Sequence, residues 1–235
     1  MKFVILAGGK GSRMQAEGAS WSKPMTPLKG RPMIGRLIDQ MLDCGASAVH
    51  IAANPAMDDM MEYLTARASA DNRIVVRPIV TDNSYESLRE ATRGIEGKFI
   101  ASTVDAIVDT NELRDMANRL SGIPDNHGIM GLMRNIHDET PLWACVQPSG
   151  EITDYSWGKE PFKCGEIASA GVYGLSGEAM KRLAASDIYP TSLSHSQQLL
   201  ARDPLYSLYS FYFSEAYDVD NMTDRAMAED FLNRR

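Results

Sequence analysis

Apolar positions along this chain alternate between two spacings. Residues 2–7, 48–53, 73–80 and 98–108 are short, nearly continuous apolar runs, the signature of strands buried on both faces. Between them the apolar residues recur at three and four. Met33, Leu37, Ile38, Met41 and Leu42 make a helical stripe across 32–44, with Gly45 as its C-cap. Helices are likewise predicted over 57–68, 84–94 and 111–120, the last with Thr110 as N-cap. This βαβαβαβα order predicts a mostly parallel sheet with helices on both faces. Beyond about residue 127 the texture changes. Short strands are predicted at 128–134, 142–147, 152–156 and 168–175, helices at 177–185 and 192–201, strand-rich sequence at 205–219 and a closing helix at 222–233. The reading is one domain over 1–235, with a nucleotide-type half over about 1–125 and an acceptor-type half over about 126–235.

Composition narrows the class. The chain has 235 residues, 44% of them apolar, enough for an ordinary core. No run approaches the ~20 residues that span a bilayer, and the apolar stretch at 3–7 is too short for a signal peptide. Cys44, Cys145 and Cys164 are odd in number and widely spaced, which fits reduced thiols rather than a disulfide framework or a zinc site. A soluble, cytoplasmic protein is expected, with no membrane partner. The net charge of −7 argues against nucleic acid. Residues 1–36 nevertheless hold seven Lys or Arg and a single acid, Glu17, so a basic, glycine-rich start sits on an acidic protein. That asymmetry suits a site for a small polyanion.

The polyanion site maps to Leu6-Ala7-Gly8-Gly9-Lys10-Gly11-Ser12-Arg13-Met14, directly after the first strand. Glycines let the backbone approach a ligand closely, and its N–H groups can face phosphate oxygens. The loop falls at the carboxyl end of a strand, where open α/β sheets bind ligands. The spacing matches no P-loop. Gly9-x-Gly11 begins a dinucleotide fingerprint, but Met14 stands at the last glycine, and Gly18, Pro24 and Pro27 predict that no helix starts at the loop. His50, His127, His137 and His195 are scattered and carry no metal spacing, and Ser194-His195-Ser196 lacks the G-x-S-x-G elbow of a hydrolase.

The segment Lys23-Pro24-Met25-Thr26-Pro27-Leu28-Lys29-Gly30-Arg31-Pro32-Met33-Ile34 follows. An A-G-G-x-G-x-R loop and then K-P-h-x-P-h-x-G-x-P-h-I, with h apolar, resembles the sugar-1-phosphate nucleotidyltransferase family. The resemblance implies a Rossmann-like α/β/α sandwich of the nucleotide-diphospho-sugar transferase type, with a mixed, mostly parallel central sheet. It implies transfer of a nucleoside monophosphate from an NTP to a sugar-1-phosphate or similar small phosphorylated acceptor, with Mg²⁺ as cofactor and pyrophosphate as product. By position, Arg13 and Lys23 take the catalytic contacts to the triphosphate, and Leu6, Ala7, Gly8, Gly9, Gly11, Ser12 and Ser87 join them around the nucleotide. Self-association stays open.

The resemblance also places the metal. Asp105, near the end of the 98–108 run, matches the family's metal aspartate, with Asp109 as an alternative that a capping role would also explain. Tyr217-Asp218-Val219-Asp220 is similar to a late family segment that completes the metal site, so Asp218 and Asp220 join Asp105; the competing reading is that Asp220 or Asn221 caps the last helix. Ala168-Ser169-Ala170-Gly171-Val172-Tyr173 is similar to the family strand beside the acceptor. Gly171 would give the acceptor close backbone approach, or merely relieve crowding in a strand. Gly158-Lys159-Glu160-Pro161 exchanges the charges of the family's E-K-P, and Lys159, or Lys163, would reach the acceptor phosphate. The stretch Asp82–Ala91 departs from the family's usual L-G-T-A-G and is nearer to cytidylyltransferases for phosphocholine-like acceptors. A cytidylyltransferase acting on a phosphocholine-like or polyol phosphate, and a non-catalytic nucleotide- or sugar-phosphate-binding regulator, are the two alternative functions.

Overall fold

The computed structural model describes residues 1–9, 11–137, 139–158 and 160–235. In chain order the elements are β1 (Lys2–Ala7), α1 (Ser12–Ala16), β2 (Pro27–Leu28), β3 (Arg31–Pro32), α2 (Met33–Asp43), β4 (Ala48–Ala53), α3 (Asp58–Ala70), β5 (Ile74–Pro78), α4 (Ser84–Thr92), β6 (Lys98–Thr103), β7 (Ala106–Val108) and α5 (Thr110–Ser121). The second half adds β8 (His127–Met133), β9 (Leu142–Val146), β10 (Glu151–Trp157), β11 (Ala168–Ser176), α6 (Gly177–Ala185), α7 (Leu193–Arg202), β12 (Ser207–Tyr212), β13 (Ala216–Asp218) and α8 (Met222–Asn233). Lys23–Met25 forms a single 3₁₀ turn.

Nine strands form one mixed sheet in the order β5-β4-β1-β6-β11-β8-β12-β10-β9. The first four pair in parallel, because each is joined to the next in sequence through a covering helix. β11 then enters antiparallel between β6 and β8 and joins the two halves of the chain. Along β1, Phe3 and Ile5 belong to one core cluster while Val4 and Leu6 belong to the other. Side chains alternate across a strand, so a continuous apolar run serves both faces. α2, α3, α5 and α8 cover the first face, and α4, α6 and α7 cover the second. The three-layer sandwich therefore follows from the pattern of the chain. Among the described residues no helix is long and apolar enough to cross a membrane.

Three local expectations need correction. A helix does begin at the glycine loop: Ser12–Ala16 is helical. Gly11 turns the chain with φ +67°, and strong helix formers then fit one short turn before Gly18. The dinucleotide fingerprint still fails at Met14, whose side chain is packed in the core. The run at 98–108 is two strands, not one. A turn at Val104 and Asp105 takes the chain out of the main sheet, and β7 pairs with β13 instead. The N-cap of α5 is Asp109, not Thr110; its carboxylate accepts from the Asn111 and Glu112 amides at 2.8 and 3.1 Å.

Candidate active site

The turn that splits the 98–108 run builds the site. In the β7–β13 ladder Asp218 lies opposite Ala106, and the Val219 amide donates to the Asp105 carbonyl at 3.2 Å. Two backbone segments more than a hundred residues apart are thus stitched together beside Asp105. The result is a cluster in which one carboxylate oxygen from each of Asp105, Asp218 and Asp220 lies within 4.8 Å of the others. Asn221 caps α8 in a reciprocal capping box with Asp224. Asp220 is therefore not needed as the cap and its carboxylate faces the cluster. Asp109 is spent on α5, which separates it from the metal candidates.

Lys23 enters this cluster from the 3₁₀ turn. It is only 8% exposed, and its Nζ donates to both Asp105 and Asp220. Burial disfavours its charge, but the fields of Asp105, Asp218 and Asp220 outweigh that and hold the ammonium above its ordinary range. Burial likewise pushes the Asp105 carboxyl up, but the charge and hydrogen bond of Lys23, with a Thr103 hydrogen bond beside them, together hold it below its ordinary range. Arg13, exposed at its tip, donates to Asp220 at 2.6 Å.

Two cavities flank the cluster. One, of about 450 Å³, is lined by Leu6, Gly8, Gly9, Asn54, Val80, Thr81, Asn83, Ser84 and Ser87 together with Lys23 and Asp105 of the cluster. A Cβ on Gly9 would meet nothing within 4 Å, and one on Gly8 would only graze Ser87 Oγ at 3.9 Å. Neither glycine has a positive φ. Their lack of a side chain keeps the cleft open without any other structural need. Ser87 Oγ, in the lining of this cleft, is held 2.6 Å from Thr81 Oγ1. The second cavity, of about 380 Å³, is lined by Arg13, Glu17, His137, Glu139, Tyr217, Asp218, Asp220 and Asp224. There the His137 and Tyr217 rings stack with centroids 5.6 Å apart.

The sequence candidates divide accordingly. Leu6, Gly8, Gly9, Lys23 and Ser87 share the first cavity with Asp105. Ala7 turns its side chain into the core, leaving only its backbone near the loop. Gly11 adopts a left-handed backbone against Lys23. Arg13 faces the second cavity. Gly171 has φ +73°, and a Cβ there would lie 2.7 Å from Thr103 Oγ1 and 3.0 Å from Ala106 Cβ, so the crowding it relieves is that of the turn around Asp105. It also lines a narrow recess with Ser169 and Asp218. The Ser12 side chain and Lys159 lie outside the described residues. Sequence reading missed Thr81, Asn54 and His137, which stand in loops without a motif. Only their positions after β4, β5 and β8 hint at them, since loops at strand ends line the cleft.

The cluster offers hard oxygen donors from three carboxylates, a donor set that fits Mg²⁺. The fold is shared with solved proteins. An inositol-1-phosphate CTP transferase from T. maritima superposes with a TM-score of 0.79 at 16% identity, over 99% of this chain and 94% of that one. A UDP-glucose pyrophosphorylase complexed with UDP-glucose superposes with a TM-score of 0.76 at 14% identity, over 100% of this chain and 99% of that one. At such identities the likeness establishes the fold. The family follows from sequence: the pattern of the MobA-like NTP transferase domain matches residues 3–153, more than half of the chain, and this protein belongs to that family.

Proposed function

We propose that this nucleotidyltransferase moves a nucleoside monophosphate from an NTP to a sugar-1-phosphate or a similar small phosphorylated acceptor. The observation that carries the reading is the meeting of two cavities at one charged cluster. The glycine-lined cavity suits a nucleotide, and the cavity beside Arg13 suits an acceptor. The acceptor phosphate oxygen attacks the α-phosphorus, that P–O bond forms, the bond from the α-phosphorus to the bridging oxygen breaks, and pyrophosphate leaves. Gly8 and Gly9 admit the phosphates against the backbone. Lys23 places a positive charge where the two polyanions meet, and Arg13, across the cluster at Asp220, offers a second charge to the triphosphate. Such positioning and charge stabilisation carry most of the catalysis in phosphoryl-type transfer.

Asp105, Asp218 and Asp220 would hold the Mg²⁺, which when bound neutralises phosphate charge. The names of the two proteins sharing the fold frame the acceptor class as a sugar or polyol phosphate. The reading for CTP and a polyol phosphate gains support from the first of them and from the unusual stretch at 82–91 lining the nucleotide cavity.

The test is pyrophosphate release from each of the four NTPs, with Mg²⁺, against a panel of sugar-1-phosphates, polyol phosphates and phosphocholine. At least one pair should release pyrophosphate and yield the NDP-linked product, and Asp105→Asn should abolish it. Tight NTP binding without turnover for any acceptor would favour the regulator instead.

A further inference from the structure

Outside this machinery, Cys164 Sγ lies 3.1 Å from Cys145 Sγ, to which it donates. Both are free thiols, Cys145 half-buried on β9 and Cys164 exposed on the connection from β10 to β11. A disulfide has sulfurs about 2.05 Å apart, so closing the bond asks for roughly one ångström of approach. The backbone keeps the pair in register. The Ala144 amide donates to the Ile167 carbonyl at 2.8 Å, and Ala168 pairs with Trp143, so the connection runs back along β9 before entering β11. Around Cys164 itself, Phe162 bridges to Gly165 and packs against the core. The thiol is thus presented on a closed turn rather than on a loose tail.

We propose that Cys145 and Cys164 are a reversible oxidation site, closed by a low-molecular-weight disulfide. The exposed Cys164 loses its proton and attacks one sulfur of the external disulfide, releasing one thiol. Cys145 then loses its proton and attacks Cys164 Sγ, releasing the second. One external disulfide is reduced to two thiols, and the two protein thiols become one disulfide. Burial, reinforced by the neighbouring Cys164, holds the Cys145 thiol above its ordinary range, which suits the resolving rather than the attacking role. The bond fastens the connection to β9 just before Ser169, Ala170 and Gly171, which line the recess beside Asp218. Its consequence for turnover, which rests on the function proposed above, is a change in the KM for the acceptor with little change in that for the NTP.

The full-length protein is incubated with glutathione disulfide and followed by intact mass, peptide mapping and trypsin cleavage after Lys163. The expected product has lost two hydrogens, carries a Cys145–Cys164 cross-link and is cleaved after Lys163 several-fold more slowly, and dithiothreitol reverses all three. Cys145→Ser should instead trap glutathione on Cys164 and keep the cleavage fast. A persistent adduct on Cys164 in the unmutated chain, a link to Cys44, or a link between two chains overturns the proposal. These readouts need no turnover, so they decide the site even if no acceptor is found. Where an acceptor is found, an oxidised enzyme with both KM values unchanged overturns the acceptor-side role.

Discussion

A Cβ built on Gly11 would lie 2.6 Å from the Cβ of Lys23. The residue that caps the short helix after β1 thus rests on the lysine that enters the carboxylate cluster, and only a glycine leaves room for it. Gly11 also has φ +67°, a backbone that costs any other L-residue ~1–2 kcal/mol. Gly9, two residues away, has neither constraint. Gly11→Ala should therefore lower Tm and turnover together. Gly9→Ala should leave Tm within about 2 °C, a shift under ~1 kcal/mol, and weaken nucleotide binding. Thermal melts with nucleotide titrations check this; equal effects of the two substitutions would dissociate Gly11 from Lys23.

Lys23→Ala should lower turnover by ~10²-fold or more, since it removes a positive charge at the point where phosphate charge develops. It also leaves Asp105, Asp218 and Asp220 without the ammonium that separates them. The variant should melt lower than the parent in EDTA and recover part of the difference with Mg²⁺. A change in turnover under about threefold would remove Lys23 from the chemistry.

Asp105→Asn and Asp218→Asn should each weaken divalent-metal binding, read with Mn²⁺ by electron paramagnetic resonance as a spectroscopic substitute for Mg²⁺. Asp109→Asn should not, because that carboxylate caps α5. Asn caps a helix about as well as Asp, so this change should leave stability nearly unaltered, whereas Asp109→Ala should cost about 1 kcal/mol. If Asp109→Asn abolished Mn²⁺ binding and Asp218→Asn did not, the cluster would be misassigned.

His50 is 7% exposed, and neither ring nitrogen has a hydrogen-bond partner among the described residues. Burial, followed by the charges of Arg77 and Lys2, depresses its pKa. The unfolded chain therefore takes up a proton here at a higher pH than the folded chain does. Its contribution to stability is complete above the unfolded value of ~6.5, falls as the pH drops below that, and levels off beneath the folded pKa. His50→Leu should lose less Tm between about pH 7.5 and about pH 5 than the parent does. Equal losses in both proteins would show that other groups set the acid sensitivity.

The layered α/β/α plan and the strand-loop start were legible along the chain because each is written locally, while Lys23 and the carboxylate candidates came from the resemblance to the nucleotidyltransferase motifs. Apolar spacing declares a strand or a helix, and a glycine run with adjacent cations declares a place for phosphate. What the chain could not declare is which distant groups meet. Asp109 and Asp105 look alike in sequence, yet one caps α5 and the other faces Asp218, because a turn at Val104 sends β7 to pair with β13. Arg13 and Gly8 lie close together in the sequence but face different cavities. Cys145 and Cys164 look isolated until β9 and β11 align. Periodicity is a property of neighbours a few residues apart, whereas convergence depends on strand order and register, which only the packing of the whole sheet decides.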